Sequence, residues 1–193
     1  MDNEIKIEQS FCFLCAFLML TIPLRWVLAV LLSALVHELC HIAAIKLCGK
    51  KILSVNIGMF GAEIQTEMLS GYKEILCIGA GPAGSFLLLL LFRWLPLTAL
   101  AGMIQGLFNL LPFRPLDGGR ILSSMFCLAF GQDCAAWIMN VIELLSVIAF
   151  AALVIYWFSV LKFSKLLLML TILLIINMLL RKIPCKLPQL RVQ

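Results

Sequence analysis

The chain has 193 residues, 63% of them hydrophobic and 13% charged, with a net charge of +5. A soluble domain is about 45–50% apolar and about 25% charged, so this balance excludes an ordinary water-soluble protein; the length suits one membrane-embedded domain over 1–193 with no second soluble domain. The basic residues sit at the ends of apolar runs, a pattern of membrane topology rather than nucleic-acid binding.

Residues 1–10 are polar and read as surface. Their acidic start, with no small-residue cleavage site, argues against a cleaved signal peptide. The apolar run 11–24 is a short first membrane helix, and 26–48 is the second. Within the second lies Val36-His37-Glu38-Leu39-Cys40-His41, an H-E-x-x-H pattern holding the only two histidines of the chain. On a helix the two imidazoles fall about 40° apart on one face and can grip one metal ion, with Glu38 beside them to take a proton from a bound water. Reading them as inert core residues is costly, since burying three such groups in an apolar helix needs something to bind them. Ser33, Ala34, Ala44 and Cys48 share that face and allow close helix packing. Gly49-Lys50-Lys51 ends the helix.

Residues 52–67 switch to period two: Leu53, Val55, Ile57 and Met59 alternate with Ser54, Asn56 and Gly58. This predicts a strand, a bend at Gly58 and Gly61, and a partner strand over Ala62 to Thr66. Such a hairpin at the membrane can offer an edge to an extended peptide, or be a simple surface hairpin. A third helix over 74–92 contains Pro82, which predicts a kink, among three glycines. A fourth over 94–111 places Gly102, Gly106 and Asn109 on one face.

The segment Asn109-Leu-Leu-Pro-Phe-Arg-Pro-Leu-Asp-Gly-Gly-Arg120 must break that helix at its prolines, and Gly118 and Gly119 permit a tight turn after Asp117. An acid on such a break can face a metal as the third ligand that two histidines need, or pair with Arg114 or Arg120 as part of an ordinary loop. A short helix over 121–130, a long one over 135–160 with Asn140 and Glu143, and a last span over 163–180 complete the chain. Glu143 is an intramembrane acid and a rival third ligand, although a support role fits better because no companion motif surrounds it. The eight cysteines read as reduced core residues, and Cys12-x-x-Cys15 has no second pair at zinc-site spacing.

The whole predicts an all-α polytopic membrane protein of about six transmembrane helices, with a small membrane-associated β-hairpin after the second. Six spans put both termini on one side, and the basic tail makes that side cytosolic. Eleven of the 15 basic residues then fall inside and four outside, and the metal pattern lies in the cytosolic half.

H-E-x-x-H in a membrane helix, followed by N-x-x-P-x-x-P-L-D-G-G after a later helix, resembles the site-2 protease family of intramembrane zinc metalloproteases, and within it most the stage IV sporulation protein FB branch. The resemblance implies one zinc ion held by His37, His41 and Asp117, with Glu38 as catalytic acid/base. It also implies that Asn109 positions substrate or stabilises the reacting carbonyl, and that the strand segment presents substrate. It further implies a bacterial cell membrane, a membrane-associated or single-span protein substrate, room for a regulatory membrane partner, and regulated intramembrane proteolysis, for instance of a sporulation or signalling precursor. Ser85 departs from the pattern, since many relatives have Asn there. Other readings are a catalytically silent relative that binds membrane partners, a zinc protease of lipidated proteins, and a metal transporter. Intact Glu38 argues against the catalytically silent relative, and the lack of an inverted repeat against the transporter.

Overall fold

A computed structural model describes residues 4–58, 61–67, 71–114 and 116–161. The span expected at 163–180, the tail residues Arg181, Lys182, Lys186 and Arg191, and Pro115 lie outside the described residues. The elements run β1 (Glu4–Ile7), α1 (Gln9–Thr21), α2 (Leu24–Leu47), β2 (Ile52–Gly58), β3 (Gly61–Thr66), α3 (Tyr72–Leu87), a 3-10 turn (Leu88–Leu91), α4 (Pro96–Asn109), α5 (Asp117–Phe130) and α6 (Gln132–Leu161).

Among the described residues, three stretches are long and apolar enough to cross a membrane: Leu24–Leu47, Tyr72–Leu91 and Gln132–Leu153. Two expected spans are shorter. With 13 residues α1 reaches about 20 Å and with 14 residues α4 about 21 Å, against a hydrocarbon core of about 30 Å. Prolines set these limits: Pro23 caps α2 just after α1 ends, and Pro96 opens α4. The side-chain distribution is that of a lipid-facing bundle. Leu28, Leu32, Leu35 and Leu39 make an exposed stripe along α2, while Ser33 and Ser85 are completely buried.

The bundle is held close by missing side chains. A Cβ on Gly81 of α3 would overlap the rings of His41 and His37, and one on Gly84 would overlap Cys40 Sγ. A Cβ on Gly102 of α4 would come 2.8 Å from the Ser85 carbonyl oxygen. In lipid, where apolar burial gives little drive, such backbone approach supplies the packing. Pro82 lies inside α3, which continues through it and tightens to a 3-10 turn only at Leu88. α2 ends as expected: Gly49 takes φ +75°, and the Lys50 N–H donates to the Ile45 carbonyl at 3.1 Å.

The expected hairpin exists but belongs to a three-stranded sheet of order β1-β2-β3. β2 and β3 are antiparallel, pairing Val55 with Ile64 and Ile57 with Ala62. The N-terminal segment, expected at the surface, is exposed over Lys6 to Gln9, and it also forms β1, parallel to β2 with Lys6 opposite Asn56. Alternation explains it, since Glu4-Ile5-Lys6-Ile7 has the same period of two as β2. The pairing sets Lys6 next to the Ile57–Ala62 pair, whose Ala62 N–H reaches Glu38.

Candidate metal centre

α2 places His37 and His41 on adjacent turns, both buried, with ring centroids 4.8 Å apart and planes nearly perpendicular. Their Nε2 atoms are 3.2 Å apart. Asp117 Oδ2 reaches in from the start of α5, 3.0 Å from His37 Nε2 and 3.3 Å from His41 Nε2. Three donor atoms from two distant segments thus form a near-equilateral triangle among buried side chains.

The other ring nitrogens define the chemistry of that triangle. His41 Nδ1 lies 2.9 Å from the Cys77 carbonyl oxygen, which can only accept, so Nδ1 carries a proton and, in the neutral ring, Nε2 keeps a bare lone pair. His37 Nδ1 is 2.8 Å from Ser85 Oγ, and donation to that hydroxyl leaves its Nε2 bare in the same way. Two lone pairs and a carboxylate oxygen then face one another out of water, an arrangement that a cation would relieve. Ligand atoms about 2.0–2.1 Å from a tetrahedral zinc lie about 3.4 Å from one another, close to the spacing here, and histidines that hold zinc commonly donate their far N–H as these two do. The residues present therefore fit a zinc ion.

Glu38, half-buried, stands next to His37, and its Oε1 accepts the Ala62 N–H at 3.2 Å. The beginning of β3, an edge strand, is thereby fastened beside the carboxylate. Asn109, the last residue of α4, sets Nδ2 3.3 Å from His37 Nε2.

Asp117 arrives differently from the sequence expectation. It does not sit in a loop ahead of a helix at 121; it is the first residue of α5. Its carboxylate occupies the positive end of that helix, where negative charge is stabilised. Gly118 and Gly119 make no turn after it. They are helical, and a Cβ on Gly118 would overlap the Leu110 carbonyl and on Gly119 the Phe113 carbonyl, so they allow α5 to start against the chain leaving α4.

Glu143, the rival expected as third ligand, instead lies against Arg114. Arg114 Nη2 pairs with Glu143 Oε2 at 2.6 Å, its Nε donates to Glu143 Oε1 at 2.7 Å, and its backbone N–H donates to the same oxygen at 3.0 Å. Arg114 therefore engages α6. Glu143 is spent on this clamp, which ties the segment three residues ahead of Asp117 to α6.

Three contributions escaped the sequence reading. Ser85, noted only as a departure from a motif, orients His37. The Cys77 carbonyl orients His41, a backbone role that no residue type announces. Gln105, one turn before Asn109 on α4, accepts from Ser33 Oγ at 2.7 Å, one turn before His37 on α2. That four-residue spacing on both helices was a legible signal.

No protein-family profile matches the chain. Over 127 residues, 56% of this chain, it is 31% identical to a protein of Mycobacterium tuberculosis provisionally named zinc metalloprotease Rip3, and the match spans 32% of that relative. Over 109 residues it is 33% identical to a second provisionally named zinc metalloprotease, from Synechocystis sp., spanning 29% of that protein. The matched stretches thus make up about a third of these relatives' own length. Among solved structures, the site-2 protease from Methanocaldococcus jannaschii has the same fold, with a TM-score of 0.63 and 21% identity, covering 93% of this chain and 91% of that one.

Proposed function

We propose that this chain is a zinc metalloprotease of the site-2 type, hydrolysing peptide bonds of membrane-associated or single-span proteins within the membrane. The observation that carries this reading is the convergence of His37, His41 and Asp117 with the Glu38 carboxylate alongside. Likeness to proteins named as zinc metalloproteases and to a site-2 protease fold supports it.

His37, His41 and Asp117 would hold a single zinc ion. Bound there, zinc would supply a Lewis acid that polarises a peptide carbonyl and brings the pKa of a water near 7. Glu38 accepts the proton of the attacking water and returns it to the leaving amine. Asn109 donates its side-chain amide to the carbonyl oxygen as negative charge develops there. A transmembrane substrate hides its carbonyls in helical hydrogen bonds, so it must be unwound before attack. The edge of β3, unpaired among the described residues and beginning beside Glu38, suits an extended segment added as a further strand. Lys46 in the last turn of α2, followed by Lys50 and Lys51, supports a cytosolic placement of that end, with both termini and the metal in the cytosolic half. Regulated cleavage of a signalling or sporulation precursor in a bacterial cell membrane is the process this chemistry suits.

The test is co-expression with a single-span candidate substrate, comparing wild type with Glu38→Gln. Cleavage by wild type alone supports the mechanism, and cleavage that persists without Glu38 overturns it.

A further inference from the structure

Apart from the metal centre, Cys77 Sγ donates to Cys48 Sγ at 3.5 Å, across 29 residues of chain. Cys48 is half-buried at the C-terminal end of α2, immediately before Gly49 and the lysines 50 and 51 that mark the aqueous border. Cys77 is buried in α3. Helix geometry makes Cys77 face two ways. Ser85 meets His37 while Cys77 meets His41, so α3 runs antiparallel to α2. Its Cβ, tilted toward the start of α3, carries the sulfur toward Cys48, while its carbonyl, directed toward the end of α3, reaches His41 Nδ1.

We infer that Cys48 and Cys77 form a redox modification site, a dithiol that peroxide converts to a disulfide locking the end of α2 to α3. Cys48, the more accessible sulfur, attacks as thiolate: a sulfur–oxygen bond forms, the peroxide O–O bond breaks, and hydroxide leaves, giving a sulfenic acid. The Cys77 sulfur then attacks the Cys48 sulfur, its proton leaving with the departing hydroxyl as water. Overall two thiols and one hydrogen peroxide give one disulfide and two waters. The sulfurs close from 3.5 Å to a bond of about 2.05 Å. Gly81 and Gly84 already bring α3 against α2 with no space for a methyl group, so the movement falls on Cys48 at its exposed helix end. The lock therefore pins the backbone that holds His41 without displacing it. This inference stands whether or not the chain is a protease.

The experiment treats the reduced, purified full chain with an equimolar amount of hydrogen peroxide, alkylates the remaining thiols and maps the peptides by mass spectrometry. The expected result is a cross-link between the peptides of Cys48 and Cys77, two hydrogens lighter than the reduced pair, in monomeric protein. It is reversed by dithiothreitol and absent from Cys48→Ser and Cys77→Ser. Full alkylation of both cysteines after peroxide, or sulfinic acid at Cys48 without the cross-link, overturns the inference in wild type, independently of how the variants fold.

Discussion

His37 Nε2 and Asp117 Oδ2 stand 3.0 Å apart across 80 residues of sequence. Removing the charge on Asp117 while keeping its shape tests what the contact is for. Asp117→Asn should lose most of its zinc, measured by elemental analysis of the purified protein, because a neutral amide is a poor ligand for a site with only two other protein donors. Zinc content and cleavage equal to wild type would remove Asp117 from the ligand set.

Glu38→Gln should separate binding from chemistry. Its side chain is not one of the three converging donors, so zinc stays near one per chain while cleavage falls by about 10²–10⁴-fold, the usual worth of a positioned acid/base. Elemental analysis and a substrate-shortening assay on the same preparation read both quantities.

Gly81→Ala should destroy the site without touching a ligand. The added methyl would overlap His41 Nε2, and α3 backbone must move for it to fit. Zinc content should drop toward that of Asp117→Asn. Gly79→Ala, whose Cβ would meet Ile121 at 3.9 Å, should keep its zinc and serve as the control.

Ser85→Ala should weaken zinc binding by about 10–100-fold, the common cost of removing a partner that orients a ligating histidine. Ser85 bonds His37 Nδ1 at 2.8 Å, and alanine leaves that nitrogen unpaired without adding bulk. Competition with a chelator of known affinity measures the change.

Glu143→Gln should lower cleavage while leaving zinc in place. The substitution removes the charge from the Arg114 pair, whose hydrogen bonds contribute about 1.5–3 kcal/mol in partly buried settings, and so loosens the segment ahead of Asp117. A fall in thermal midpoint with zinc near one per chain is the expected outcome. Loss of zinc comparable to that of Asp117→Asn would make Glu143 a ligand after all.

The amino-acid sequence by itself determined what depends on neighbours within a turn or two. The four-residue spacing of His37 and His41 brings two imidazoles together on any helix, apolar composition makes the longest helices lipid-facing, and period two marks β2 and β3. Gly49 ending α2 belongs to the same class, because a left-handed residue after a helix is a local event.

Tertiary structure decided what depends on distant partners. Asp117 and Glu143 are both acids of plausible depth; the motif around Asp117 favours it, but only the fold sets its carboxylate 3.0 Å from His37 while Glu143 lies against Arg114. The N-terminal segment was legible as surface but not as a paired strand: four alternating residues are a weak signal, and their parallel partner lies 50 residues on. The glycines at 118 and 119 looked like turn residues because sequence shows only the absence of a side chain. Whether that absence supplies an unusual φ or room for another backbone depends on what packs against it, and here the space belongs to the Leu110 and Phe113 carbonyls.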